Sequence, residues 1–384
     1  MLRTSDLEYD LPESAIARVP AAERDAARML VVRRSEPGTL VHARVRDLPG
    51  YLRAGDCMVV NHSRVIPARF LGVRADTGGR VEGLFLGEPA PGVWRTLLQG
   101  KRMREGVRVA VHGRDGRDSG FGLILIERLN DEVGGWLARI EVPQAAPHDA
   151  LAVLERVGLT PIPPYIRRAR EHAADAVTDD EDRLRYQTVF AAPGLEPVMG
   201  SEAGAGVAGS VAAPTAGLHL TSGLLAAIAA SGVAKHDVSL HVGTGTFRTV
   251  EAEFVEQHAM HEEWCSMGVG TREAILRTRA GGGRVLCVGT TAARTVESYA
   301  ALPEGQCPEW LATRILITPG YAWRWTDALL TNFHLPRSTL MAMVAALLSR
   351  ESGEGVRRLK AVYEEALKSG YRFYSYGDAM LVLP

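Results

Sequence analysis

Two histidines, His219 and His241, stand in a stretch dense in threonine and glycine, residues 212–247, and mark the first candidate for chemistry. His219 ends the run Pro-Thr-Ala-Gly-Leu-His, with Thr215 and Gly217 close by, and His241 precedes Gly243-Thr244-Gly245-Thr246. An imidazole can take or give a proton near neutral pH. Glycine lets a ligand approach the backbone, and a threonine hydroxyl can hydrogen-bond a sugar or a carboxylate. A β-turn in an ordinary α/β domain, with two histidines that only satisfy local hydrogen bonds, accounts for the same residues.

Other polar groups follow apolar runs. After 58–60 come Asn61-His62-Ser63-Arg64 and then Arg69, at the edge where open α/β sheets hold ligands; a turn with two solvated arginines is the plainer reading. The apolar run 285–288 passes through Gly289-Thr290-Thr291 into a helix bearing Arg294 and Glu297. The first N–H groups of such a helix point outward unpaired and form a natural anion site. A carboxylate suits it better than a triphosphate, because no G-x-x-x-x-G-K-[ST] occurs and no strand is followed by G-x-G-x-x-G. Asn332 and His334 follow the run 328–330 in the same manner. Met260-His261-Glu262-Glu263 is either a proton-transfer cluster or a solvated loop. Residues 371–376 hold four aromatics, Tyr376 among them, with Arg372 and Asp378 nearby; they offer a stacking surface for a purine or simply pack as a C-terminal strand.

The elements that must position these groups read as alternating helix and strand. One short helix, entered through proline, is expected within 5–30, and strands are expected at 29–32 and 58–60. Thr221 or Ser222 caps a helix with Leu224, Leu225 and Ile228 on one face, and a strand follows at 238–242. Thr271 caps another helix, ending at Gly281-Gly282-Gly283, and two more carry Leu340 to Leu348 and Val356 to Leu367. Between 73 and 152 the texture changes to short β-prone runs at 81–86, 94–98, 107–111, 121–127 and 136–141. The fold class expected is therefore an α/β main domain with a mixed sheet, from 1–72 and 153–384, and an inserted small β-barrel-like domain at 73–152.

Charge and composition limit the partners. The 384 residues carry a net charge of −1, so nucleic-acid contact would depend on local basic clusters. Lys101, Arg102, Arg104 and Arg108 form one cluster on the β-rich module. A second follows Pro161-Ile162-Pro163-Pro164-Tyr165-Ile166, which its prolines make extended, and comprises Arg167, Arg168 and Arg170. Either is an RNA groove or an ordinary solvated surface. Residues 193–211, rich in glycine and alanine, look like a flexible insertion. The cysteines Cys57, Cys265, Cys287 and Cys307 are far apart without a C-x-x-C pair, which argues against a zinc site or a disulfide framework. With no apolar run of membrane-spanning length and no signal peptide, a cytoplasmic protein is expected.

Residues 61–69, 163–166, 186–190, 214–219, 241–247, 260–262, 288–291 with Arg294 and Glu297, 331–336 and 371–380 together resemble the S-adenosylmethionine:tRNA ribosyltransferase-isomerase family of bacterial queuosine biosynthesis. They run from one end of the chain to the other. The resemblance implies transfer of the ribosyl group of S-adenosylmethionine to 7-aminomethyl-7-deazaguanine at the tRNA wobble position, with isomerisation to an epoxycyclopentanediol and loss of adenine and methionine. S-adenosylmethionine is then a consumed substrate, and neither a further cofactor nor a metal is implied. It also implies roles. His219 or His241, with preference for His241, and failing them Glu297 or the His261-Glu262 pair, takes the proton from the 5′ carbon that the sulfonium acidifies. The methionine carboxylate suits the Thr290-Thr291 helix start with Arg294, and its ammonium suits Glu297. A monomer is expected. His62 and Leu220 depart from the family's usual residues, and 167–181 and 193–211 are longer than usual. A non-catalytic tRNA- or nucleoside-binding protein of the same fold is the alternative.

Overall fold

Strands buried on both faces need runs of apolar side chains rather than alternate ones, and four segments of this chain carry such runs. The structure, a computed structural model, describes residues 1–36, 38–130, 134–144, 146, 148–173, 177–192, 210–242, 249–349 and 354–384. The strands in chain order are β1 (Arg28–Arg33), β2 (Leu40–Arg44), β3 (Cys57–Asn61), β4 (Arg69–Arg74), β5 (Arg80–Ala90), β6 (Val93–Gln99), β7 (Arg108–His112) and β8 (Asp118–Arg128). They continue with β9 (Trp136–Glu141), β10 (Ala234–Leu240), β11 (Glu263–Met267), β12 (Val285–Val288), β13 (Leu311–Thr313), β14 (Ala328–Asn332) and β15 (Ala379–Leu383). Nine of them form one sheet in the order β13-β11-β10-β3-β12-β14-β15-β1-β2.

Its centre, β10-β3-β12-β14, is parallel, whereas β15 runs antiparallel to β14 and parallel to β1. The fully buried members are β3, β12, β14 and β15. The eight helices are α1 (Ala150–Val157), α2 (Pro164–Ala173), α3 (Asp179–Arg185), α4 (Ser222–Ala230), α5 (Val269–Ala280), α6 (Thr290–Ala300), α7 (Thr339–Leu348) and α8 (Gly355–Lys368), counted among the described residues. Strand alternation sends Cys57, Val59 and Cys287 into one core with α5 to α8, and Met58, Val60 and Leu286 into a second with α4. None of the described helices is long and apolar enough to cross a membrane.

Strands β4 to β9 close into an antiparallel barrel, β4-β5-β6-β9-β8-β7, between β3 and β10 in the chain. It begins at Arg69, ahead of the texture change at 73. Phe70, Phe85 and Trp94 fill its centre, and α1 packs Val153, Leu154 and Val157 into the same core. Gly83 is the small partner of this filling: a Cβ there would lie 2.1 Å from Phe70 Cζ.

Three local expectations need correction. Within 5–30 the chain forms three short 3₁₀ turns, Thr4–Leu7, Glu13–Ala15 and Arg24–Ala26, in place of a helix. The proline-rich segment is extended only to Pro163, because Pro164 takes the first position of α2, where a missing N–H costs nothing. Helix α5 starts at Val269 behind Gly268, so Thr271 lies inside it and donates its hydroxyl to Asp237 O. Thr221 does cap α4, accepting from Leu224 N at 3.1 Å.

Candidate functional site

Strand β12 ends at Val288, and Gly289, at φ 89°, turns the backbone so that α6 starts at once. The first N–H groups of α6 therefore open at the carboxyl end of the parallel sheet. A cleft lies there, with Thr290 and Thr291 on one side, Thr331, Asn332 and His334 on its floor, and 212–216, Tyr165, Tyr374 and Ser375 as the opposite wall. Thr215 Oγ1 donates to Asn332 Oδ1 at 2.9 Å, and Asn332 Nδ2 lies 3.2 Å from His219 Nε2. With the amide so oriented, Nδ2 donates and Nε2 is the acceptor, which leaves the His219 proton on Nδ1.

Burial governs both histidines at this end of the sheet. His219 is pushed down to about 4 by desolvation, with Arg372 and Arg24 adding to the effect, and stays neutral at physiological pH. His334, lowered to about 3 by desolvation, is neutral too; its Nε2 pairs with Thr331 Oγ1 at 2.8 Å. Its backbone is pinned from both sides, since Tyr9 OH donates to His334 O at 2.5 Å and His334 N donates to Tyr363 OH at 2.9 Å. His241 does not line the cleft. It stacks on Trp310 at 5.2 Å between ring centroids, whereas His219 reaches the cleft through Asn332.

Several other expected ligand residues are committed to the protein itself. Asn61 Oδ1 accepts from Ser63 N, Ser63 Oγ and Leu240 N, while its Nδ2 donates to Leu240 O at 3.1 Å and Thr291 Oγ1 at 3.2 Å. It ties β3 and β10 to the start of α6 and so positions Thr291. Glu297 is fully buried, and its carboxylate accepts from Tyr321 OH and from the backbone N–H groups of Arg324, Trp325 and Thr326 at 2.8–3.1 Å. That set of donors anchors the 321–326 loop and engages the carboxylate within the protein. Asp378 accepts from Arg28 N and Arg372 N, and Tyr376 OH donates to Asp182 Oδ1; all four aromatics of 371–376 are buried, and of them Tyr374 lines the cleft. Arg64 lies on another recess with Glu155 and Arg183. Gly217 is required by packing, because a Cβ would come within 2.7 Å of the Phe190 ring. Gly243, Thr244 and Gly245, and 193–209 of the expected flexible insertion, lie outside the described residues.

The chain matches the family model described as queuosine biosynthesis protein over residues 4–382. It belongs to that family. Among its relatives, a protein named S-adenosylmethionine:tRNA ribosyltransferase-isomerase from Gloeobacter violaceus is 45% identical, covering 99% of this chain and 96% of the relative. One of the same name from Phenylobacterium zucineum is 43% identical, with 99% of each chain covered. The crystal structure of S-adenosylmethionine tRNA ribosyltransferase from Thermotoga maritima is 28% identical, with a TM-score of 0.50, and covers 99% of this chain and 100% of that one. The α/β sheet with its closed barrel is thus the fold of the queuosine biosynthesis family in this chain.

Two features of this family member were not singled out from the sequence. Tyr165 and Ser375 face each other across the cleft wall, with Tyr165 OH and Ser375 Oγ 2.5 Å apart. Only the proline before Tyr165 and the aromatic run around Ser375 hinted at them. The second is a groove beside the barrel, lined by Arg69, Glu82, Gly83, Leu84, Leu97 and Gln99 on one side and Pro161 to Pro164, Arg167 and Val211 on the other. Glu82 accepts from Arg69 at 2.9 Å and from Arg167 at 2.6 Å, so the trio carries one excess positive charge. Arg69 belongs to this groove rather than to the cleft. Gln99 leads from it to the exposed Lys101, Arg102 and Arg104, and Arg168 is exposed just beyond Arg167. Arg170, in contrast, is consumed by a two-pronged pair with Asp182 at 2.7 and 2.9 Å. Among the described residues no group of three or more His, Cys, Asp or Glu could hold a metal ion.

Proposed function

We infer that this chain transfers and isomerises the ribosyl group of S-adenosylmethionine onto 7-aminomethyl-7-deazaguanine in the anticodon of a tRNA. The observation that carries this reading is that the cleft and the groove are back to back. Residues 162–167 and 211–213 supply both: Tyr165, Ala212 and Ala213 face the cleft, and Ile162, Arg167 and Val211 face the groove. A two-substrate transferase needs two recesses close enough for the reacting groups to meet. The cleft suits the nucleoside part of S-adenosylmethionine, because the α6 N-terminus sets partial positive charge and N–H donors where departing adenine gathers negative charge. Threonine hydroxyls of Thr215, Thr290, Thr291 and Thr331 suit the ribose. The groove, with its net positive trio and the basic loop beyond, suits the RNA. A cytoplasmic monomer accords with a tRNA substrate and with four free cysteines.

Incubation with S-adenosylmethionine and tRNA bearing the aminomethyl base should release adenine and yield a nucleoside heavier by the transferred sugar. Tight tRNA binding without adenine release would favour the non-catalytic alternative. The RNA footprint has its own test. Exchanging Lys101, Arg102, Arg104 and Arg168 together for glutamate should weaken tRNA binding at least about 10-fold at low salt and flatten its salt dependence. Affinity for S-adenosylmethionine should stay within about twofold, as none of the four lines the cleft. Unchanged tRNA affinity would return these residues to ordinary solvated surface.

A further inference from the structure

One turn into α6 from the cleft, Arg294 is almost fully withdrawn from solvent, its side chain 4% exposed. Its Nη1 donates to the Glu263 carboxylate, itself buried. Among the described residues, its Nε and Nη2 are buried without a hydrogen-bond partner. These two atoms form one edge of the planar guanidinium, the edge that grips a carboxylate with two parallel hydrogen bonds. A buried arginine with a purely architectural task would have those N–H groups paired, as nearly all buried donors are. Arg294 instead lines a recess, open to solvent, with His258, Met260, His261, Glu263, Thr339 and Leu340. Leu340 also lines the cleft, so the recess and the cleft adjoin across that side chain.

We propose that this recess is the seat of the methionyl head group of S-adenosylmethionine, its carboxylate held on the Nε and Nη2 edge of Arg294 and its ammonium beside Glu263. The proposal rests on S-adenosylmethionine being the substrate, and it separates two functions that the sequence merged. The α6 N-terminus serves the nucleoside, and the amino-acid head lies one turn farther along. Glu263 replaces Glu297 as the acidic partner, since Glu297 is saturated by the 321–326 loop. The charges match: a zwitterion of net zero meets an Arg–Glu pair of net zero, each positive group against a negative one. Glu263 also orients the guanidinium, so that the open edge is the one presented to the ligand.

The experiment is calorimetric titration of the full chain with S-adenosylmethionine and with its decarboxylated analogue. The wild type should bind the analogue about 10–100-fold more weakly, the span expected for one charge-assisted pair of hydrogen bonds. Arg294→Gln should bind S-adenosylmethionine about as weakly as the wild type binds the analogue, and should no longer distinguish the two ligands. Arg294→Gln leaves the buried Glu263 uncompensated, so Arg294→Gln with Glu263→Gln, checked by thermal melting, supplies a variant without a lone buried charge. Wild-type protein that binds both ligands equally, or a double variant that still discriminates, overturns the proposal and leaves the ribosyltransferase reading standing. Wild-type protein that binds neither ligand overturns both.

Discussion

Replacing Asn332 by leucine is expected to slow single-turnover adenine release from S-adenosylmethionine by about 10²–10³-fold, the usual loss when one positioned polar group is removed from a transition state. Asn332 is the polar side chain at the carboxyl end of β14 whose two ends are fixed, by Thr215 and by His219, before any ligand arrives. On this expectation His219 is a positioning residue. Its Nε2 is occupied by Asn332, its conjugate acid is held at about 4, and a sulfonium nearby would lower it further, so it is a poor base near neutrality. Two consequences separate this from the expectation of a histidine base. His219→Gln keeps an acceptor for the Asn332 amide and should lose less than about 10-fold, whereas His219→Phe should lose as much as Asn332→Leu, in kcat rather than KM. The rate should also show no histidine titration between roughly pH 5.5 and 8, because His219 is already neutral throughout. Equal losses in the two His219 variants, with a pH profile that breaks near 6.5, would restore it as the base. His241→Gln, on the Trp310 side, should leave the chemical step within about threefold.

Glu297→Ala is expected to cost about 3–5 kcal/mol of stability, read as a fall in the urea midpoint at unchanged slope. One carboxylate closes a loop by accepting from three successive backbone N–H groups and a tyrosine hydroxyl. Removing it strands those donors against the buried end of α6. Glu297→Gln should recover part of the loss, because one oxygen is kept while the new NH₂ faces a backbone N–H. A variant of normal stability that has lost turnover would place Glu297 in the chemistry instead.

The sheet was legible where burial dictates composition. The runs at 58–60, 285–288 and 328–330 are apolar at each position because both faces are covered, and their polar successors mark the end of the sheet where the cleft opens. The barrel was legible from its hairpin spacing. What stayed hidden is the partner of each polar group. Asn61 looks like a ligand-binding residue until Leu240 and Thr291 are brought to it from distant parts of the chain. Glu297 and Asp378 look reactive for the same reason, and each proves to be an acceptor for backbone N–H groups. His219 and Asn332 were both singled out, and only the fold makes them one unit. Pro164 was read as a reason against helix, although at the first helical position the same ring geometry favours one.

The place of β15 in the sheet bears on how the molecule assembles. The barrel is built from hairpins between neighbours in sequence, β5 with β6, β7 with β8 and β8 with β9, and can close as soon as it is synthesised. The large sheet cannot follow that schedule. Met29 must find Ala379, and Leu329 must find Val382, so a strand formed from 379–383 is the wedge between β1 and β14. Until those residues leave the ribosome, β1 and β14 each carry an apolar edge with unpaired backbone groups, open to pairing with another chain. The nascent protein is therefore most vulnerable to aggregation before 379–383 emerge, with its barrel already complete and its catalytic sheet still in two parts.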